Sequence, residues 1–353
     1  MSYNIQLKTL KQQLKEYDVV FITNLPSFYK VRQWNEIAKV KKVLIVFLNS
    51  QEGDRNKDFI SECPQFDCFT LSSKFCVSII ELFRILKNIK FNNLLLGGWD
   101  DIRLLGLILL NPKSSKSLLC ESSIYECSSN VVKNFIKKVL LKRVSKVFPS
   151  GIPQGEIFKK LNYQGEIIYT GGCGLLNYIE QPPYKPRLSV KSFLYVGRFV
   201  DVKNLDMLIN VFNKLPQFDL FLIGFGEQEK GLRSIAGENV KFLGAIDNKL
   251  LSQYYQNTDV FILPSKVEPW GLVVEEALNN GTPVIVSDKV GSKDDLVKDE
   301  FGVVFNSTSE DSLIDAITKI TQIDFYNQLR YNISKYNFKQ RAQHQIDVFI
   351  NEF

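Results

Sequence analysis

From about residue 190 onward, short apolar segments alternate with segments of helical period, and that alternation leaves little choice of fold. Phe193–Val196, Leu220–Ile223, Val240–Leu243, Val260–Leu263, Val284–Val286 and Val303–Phe305 read as strands. Leu205–Leu215, Leu250–Gln256, Gly271–Asn279 and Ser312–Ile320 read as helices between them. Such alternation builds βαβ units on a doubly wound parallel sheet. Ligands of these sheets bind beyond the carboxyl ends of the strands, where strand order reverses. The loops Gly197–Lys203, Gly224–Glu227 and Pro264–Gly271 each follow a strand, so each falls on that edge.

The first half repeats the layout less cleanly. Val19–Ile22, Val43–Phe47, Leu94–Leu96, Lys146–Phe148 and Ile167–Ile168 are strand candidates, with helical patterns at Phe28–Lys39, Val77–Lys87 and Val131–Arg143. A length of 353 residues suits two domains, each with its own core. The proline-rich stretch Gln181–Arg187 reads as the linker. The expected division is 1–183, 184–337 and a final amphipathic helix over 338–353, with Ala342, Ile346, Phe349 and Ile350 on one side.

Composition narrows the class. A chain 45% hydrophobic and 23% charged is globular rather than disordered. The apolar runs Val43–Leu48 and Leu104–Leu110 fall short of the ~20 residues that span a bilayer. The first residues show no basic region followed by an apolar core, so no secretory signal is expected. Six cysteines without a C-x-x-C pair, and one histidine, His344, argue against both a disulfide framework and a zinc site. Reduced thiols in a cytoplasmic protein are the expectation.

The net charge of +6 hides an asymmetry: residues 1–185 hold 26 basic against 16 acidic side chains, and the remainder 18 against 22. One half therefore suits an anionic partner. Within it, Val131–Val147 puts apolar residues at 132, 135, 136, 139, 140 and 144, and Lys133, Lys137, Lys138, Lys142 and Lys146 on the other side. A basic amphipathic helix can lie on an anionic membrane surface, peripheral at the inner face of the cell membrane. It can equally be a sheet-packed helix with a solvated lysine face. No aromatic-and-basic module for nucleic acid is present.

The chemistry concentrates in Ser265–Ala277, where Glu268 sits in a loop and Glu276 eight residues on, with a helix opening at Trp270-Gly271 between them. A helix N-terminus seats phosphate through its unpaired N–H groups and about half a positive charge. An acidic group beside a phosphate seat suits a ligand with a diphosphate at one end and a polyhydroxylated sugar at the other. That ligand class is a nucleotide-sugar. Upstream, Val196–Asn204 ends a strand, allows close backbone approach at Gly197, and places Arg198 and Lys203 where they can hold a leaving diphosphate. Gly224 and Gly226 form a short glycine loop that opens another helix.

Glu268 through Glu276 resembles the E-x7-E motif of the retaining family 4 glycosyltransferases (glycosyl transferases group 1), which have the GT-B fold. The resemblance is specific over the second half and covers the first only in layout. It implies two Rossmann-like doubly wound domains facing a central cleft, with the last helix crossing back to the first domain. It implies metal-independent transfer with retention, from a UDP- or GDP-linked donor, with no cofactor beyond that substrate. Arg198 and Lys203 would stabilise the departing diphosphate, Glu268 would contact the donor sugar, and Glu276 the ribose. The amides of Trp270, Gly271 and Leu272 would donate to phosphate, and Gly197, Gly224 and Gly226 would line the nucleotide. Glu275 would be solvated.

Two features depart from the pattern. The histidine that many members carry in the first domain is absent, since His344 lies in the last helix, and Asn24–Ser27 replaces a glycine pair after the first strand. Arg32, Trp99, Asp100 and Glu121 are the candidates to line that side. The acceptor implied is a carbohydrate or a lipid-linked sugar, as in bacterial surface polysaccharide or lipopolysaccharide synthesis. A non-catalytic sugar-nucleotide-binding subunit, a nucleotide-sugar epimerase and a two-lobed sugar-binding protein are the alternative readings.

Overall fold

The computed structural model describes residues 15–50, 60–99, 101–110, 116–127, 130–174, 180–297 and 300–353. The chain divides into two compact units, one of Met1–Leu176 with Gln340–Phe353 and one of Asn177–Lys339.

The first unit is built on β1 (Glu16–Thr23), β2 (Val43–Phe47), β3 (Asp67–Thr70), β4 (Lys90–Leu96), β5 (Lys116–Cys120), β6 (Lys146–Pro149) and β7 (Glu166–Ile167). They form a parallel sheet in the order β3-β2-β1-β4-β5-β6-β7, with Val19 opposite Val43 and Val20 opposite Leu94. Successive strand side chains point to opposite faces, so both faces must be covered, and near-continuous apolar runs result. Val20, Ile22, Leu44 and Leu94 pack under the helices Phe75–Lys87, Ile102–Leu110, Val131–Leu141 and Ile152–Lys160. Val19, Phe21, Ile45 and Phe148 pack under the helix Phe28–Ile37 and the last helix, Phe338–Glu352.

The last helix buries Ile346 and Phe349, and Phe349 lies 5.3 Å from Trp34 and 5.4 Å from Phe148 between ring centroids. Gln345 is buried too, accepting from the Gly174 amide at 3.2 Å while its carbonyl accepts from Gln33 at 3.1 Å. Lys146 closes the edge through an ion pair with Glu352.

The second unit carries β8 (Ser192–Val196), β9 (Asp219–Ile223), β10 (Val240–Gly244), β11 (Val260–Leu263), β12 (Val284–Ser287) and β13 (Gly302–Phe305), all parallel, in the order β10-β9-β8-β11-β12-β13. Strand order reverses between β8 and β11. The loops that leave these two strands therefore open the crevice where such sheets bind ligands.

Several elements escape the sequence patterns: β3, β5 and the helices Ile102–Leu110, Ile152–Lys160 and Ile323–Lys335. β5 opens with Lys116, which is fully buried and donates to the Ile108 carbonyl at the end of the preceding helix. Burial, with Arg143 nearby, lowers that ammonium's pKa. All six cysteines are free thiols. Among the described residues, no helix is long and apolar enough to cross a membrane.

Phe349→Ala removes a ring from the centre of one core and is expected to cost about 3–5 kcal/mol. Denaturant unfolding measures this, and a loss below about 1 kcal/mol would show that the last helix contributes little to the first unit.

Candidate functional site

The loop after β8 starts at Gly197, whose φ of 156° lies outside the usual range for side-chain-bearing residues. A Cβ at Gly224 would fall 1.8 Å from the Gly197 carbonyl oxygen, and one at Gly226 would fall 2.3 Å from that of Phe199. The amide of Phe199 donates to Phe225 at 2.8 Å and that of Gln228 to Phe199 at 3.1 Å. Gly224 and Gly226 let the loop after β9 lie backbone to backbone on the loop after β8, while a Cβ at Gly197 would meet the Tyr195 hydroxyl. The close approach of the two loops is to each other.

Beyond a single 3-10 turn, Asp201–Lys203, the chain passes through Asn204 in the left-handed region (φ 58°, ψ 35°) and enters the helix Leu205–Asn213. Asparagine tolerates that conformation better than most residues. The buried Asn204 amide donates to the carbonyls of Pro264 at 3.2 Å and Ser307 at 3.0 Å. It thereby ties the loop after β8 to the loop after β11. The Lys266 amide adds a bond to the Val202 carbonyl at 2.9 Å. No sequence motif marked Asn204, although an asparagine just before a helix is a usable signal.

This tether brings Lys203 and Glu268 together in an ion pair, with side chains 17% and 13% exposed. Ser265 hydroxyl lies 3.3 Å from the same Glu268 oxygen. The Glu268 backbone is held on both sides, its amide donating to Lys289 at 3.1 Å and its carbonyl accepting from Gly291 at 2.9 Å. Arg198 is exposed. Its carbonyl accepts from the buried Tyr195 hydroxyl at 2.8 Å. Burial raises the Tyr195 pKa well above its ordinary value; Glu268 adds to the rise and Arg198 opposes it, so all three lie within electrostatic reach.

Gly271, at φ 89°, turns the chain into the helix Leu272–Asn279, one residue later than the pattern suggested. The first amides of any helix lack intrahelical acceptors, and these open beside Glu268. The Trp270 side chain is buried, and its indole N–H has no acceptor among the described residues.

Glu276 is half-buried and accepts from the Tyr255 hydroxyl at 3.0 Å. Glu275 does not behave as expected: it is 7% exposed rather than solvated. Val274, Glu275, Ala277, Leu278 and Asn279 are all buried, so this helix hides more than one face and its neighbours on the sequence share the burial.

In the first unit, a cavity of about 210 Å³ opens past the carboxyl ends of β1, β4 and β5, lined by Asn24, Ser27, Lys30, Gly98, Trp99 and Glu121 among others. Trp99 and Glu121 thus come together. Lys30, unmarked in the sequence, pairs with Glu121 at 3.0 Å. Burial alone would lower the Lys30 pKa, but the Glu121 carboxylate together with Tyr29 and Cys173 outweighs it and the result is a rise. The second Glu121 oxygen is buried without a hydrogen-bond partner among the described residues. Arg32 is not among the lining residues; it pairs with Glu62 at 2.9 Å. Asp100 lies outside the described residues. His344 is exposed on the last helix, beside Gly171. Among the described residues, no three His, Cys, Asp or Glu side chains gather as a metal site would require.

Burial pushes the Glu276 carboxyl up to about 7; the Tyr255 hydrogen bond opposes the rise and Glu275 adds to it. The ordinary value is 4.5, so between the two the folded chain binds more protons than the unfolded one. Stability therefore falls as pH rises through that window. Glu276→Gln is expected to flatten the fall and to raise stability near pH 8 by up to about 3 kcal/mol, less what partial exposure screens. Denaturant titrations near pH 5 and pH 8 measure this; equal slopes in both proteins would contradict it.

Residues 180–340 match the family described as glycosyl transferases group 1. Over 143 residues the chain is 32% identical to the sulfoquinovosyl transferase SQD2 of Arabidopsis thaliana, covering 40% of this chain and 28% of that protein. The match thus spans under a third of the plant relative's length. Over 293 residues it is 26% identical to an uncharacterized 41.2 kDa protein in the cps region of Klebsiella pneumoniae, covering 75% of this chain and 80% of the other. Sucrose-phosphate synthase from Thermosynechococcus elongatus has a similar structure, with a TM-score of 0.74 at 20% identity over 95% of this chain and 99% of that one. Anabaena HepE in complex with UDP follows at 0.68 and 15%, over 95% and 97%. At such identities the likeness is one of fold. The two parallel-sheet units have the GT-B fold of glycosyltransferases, and the second of them carries the similarity to glycosyl transferases group 1.

Proposed function

We propose that the chain is a retaining, metal-independent glycosyltransferase that moves a hexosyl or N-acetylhexosaminyl group from a UDP- or GDP-linked donor to a carbohydrate or lipid-linked acceptor. Bacterial surface polysaccharide or lipopolysaccharide synthesis is the setting that fits. The observation that carries this reading is the pairing of Lys203 with Glu268 at the point where the second unit's strand order reverses, with Arg198 and a helix N-terminus beside it. The UDP bound by HepE, which shares the fold, supports a nucleotide donor.

In this reading Arg198 and Lys203 neutralise the diphosphate as the bond from the anomeric carbon to phosphate oxygen breaks. The amides of Trp270, Gly271 and Leu272 at the helix N-terminus take the remaining phosphate charge. Glu268 accepts from donor-sugar hydroxyls and Glu276 from the ribose. The acceptor hydroxyl attacks on the face the phosphate leaves, and its proton passes to the departing phosphate oxygen. The new glycosidic bond thus keeps the donor's configuration, with no protein nucleophile. Lys203 holds Glu268 before the donor arrives, so the diphosphate competes with a carboxylate already in place. The lysine-rich helix Val131–Leu141, with Lys133, Lys137, Lys138 and Lys142, fits an acceptor presented at a membrane.

Glu268→Ala and Lys203→Ala are each expected to lower turnover at least about a hundredfold with the fold intact by circular dichroism. Near-normal turnover in either overturns that residue's assignment. Nucleotide binding without turnover in the parent protein would favour a non-catalytic subunit. Chelation by EDTA is expected to leave the rate unchanged, and a strict divalent-metal requirement would contradict the mechanism.

A further inference from the structure

A helix packed on a sheet buries one side and should be polar on the other. Three helices on one face of the first unit's sheet break that rule. Their inner sides are ordinary: Leu82 and Ile85, Leu104 and Leu107, and Leu140 and Leu141 join a single core. Their outer sides are apolar as well. On the helix Val131–Leu141, Val131 is 80% exposed, Val132 and Phe135 are each 66% exposed, and Ile136 and Val139 are also open to solvent. On Phe75–Lys87, Phe75, Val77, Ile80 and Phe83 are exposed, and on Ile102–Leu110, Ile102 and Leu109. These 11 are half of the 22 large apolar side chains exposed among the described residues, so the exposure is concentrated and not the usual scatter.

The outer face is built and not frayed. Asn130 caps the start of Val131–Leu141, accepting from the amides of Val132 at 2.9 Å and Lys133 at 3.1 Å, so Val131 and Val132 stand out on a fixed first turn.

Charge selects the occupant. The three helices carry six cations against one carboxylate, Glu81, and that carboxylate is turned to the Ser72 amide at 2.8 Å. Lys133, Lys138 and Lys142 are exposed along the helix whose apolar residues protrude most. Lys137 is not among them, because its ammonium lies 4.4 Å from the centre of the Trp99 ring and is only partly exposed. Long lysine stems can run along apolar surface and still place the ammonium in water or among headgroups. An apolar face rimmed by such cations fits the boundary between headgroups and acyl chains of an anionic bilayer.

We infer that the outer face of these three helices is a docking surface for an anionic lipid bilayer. Phe135, Ile136 and their neighbours enter the acyl boundary, and Lys133, Lys138 and Lys142 meet lipid phosphate. This extends the proposed membrane-presented acceptor from one lysine-rich helix to a three-helix face, and it stands on exposure and charge independently of the donor chemistry.

Co-sedimentation of the full chain with phosphatidylcholine vesicles, with or without an equal part of phosphatidylglycerol, tests it. Binding is expected to the anionic vesicles only and to fall at high salt. Two variants, Phe135→Glu with Ile136→Glu, and Lys133→Glu with Lys138→Glu and Lys142→Glu, are each expected to weaken it at least about tenfold. Both are expected to keep the parent's melting temperature within a few degrees. Equal binding to neutral vesicles, no binding to either, or binding that neither variant weakens overturns the inference. So does a dimer in size-exclusion chromatography that Phe135→Glu dissolves while vesicle binding is absent, which would assign the face to a second copy of the chain. Failure of the transferase reading alone would leave vesicle binding intact.

Discussion

The second unit's site depends on one ion pair, Lys203 with Glu268, formed between loops that leave two neighbouring parallel strands. A single 3-10 turn, Asp201–Lys203, and an isolated bridge from Glu268 to Val290 are the regular elements on these loops. The left-handed turn at Asn204 and its two carbonyl bonds set the distance, and the backbone bonds of Glu268 to Lys289 and Gly291 set the angle. A largely buried ammonium left without its carboxylate is costly, and so is the reverse. The pair therefore holds both loops in one conformation. Arg198 stays exposed on the same loop as Lys203, and the helix at Leu272 opens next to Glu268.

The glycines of the site serve that same constraint at one remove. Because Gly224 and Gly226 let their loop lie against Gly197 and Phe199, the wall behind Arg198 is backbone packed on backbone. Motif reading gave these residues to the nucleotide directly. The structure gives them a packing duty that any ligand role must accommodate. Glu276 is placed by side-chain contact instead: it accepts from Tyr255, and burial raises its pKa to about 7, so its charge changes near neutral pH.

Legibility in the sequence followed how local the physics was. β2 reads directly as Val-Leu-Ile-Val-Phe because a strand buried on both faces needs an unbroken apolar run. β5 does not, because its first residue is a buried lysine whose partner is a carbonyl on the preceding helix. Glu268 and Glu276 stand out in the sequence because the E-x7-E pattern they resemble is local. Asn204 does not, since its importance lies in carbonyls 60 and 103 positions away. Lys30 was equally hidden, since it pairs with a carboxylate on the far side of β2, β3, β4 and β5 in sequence. The apolar residues of Val131–Leu141 were visible, yet periodicity could not say that several of them face outward.

A thermal-shift panel of the purified chain against UDP, GDP, ADP and their sugar conjugates tests the central claim most directly. A ligand at about 100 times its dissociation constant adds about 2.7 kcal/mol of stability. The account predicts a shift with one base and its sugar conjugates, lost in Lys203→Ala. No shift with any nucleotide, or a shift that Lys203→Ala leaves unchanged, would contradict it.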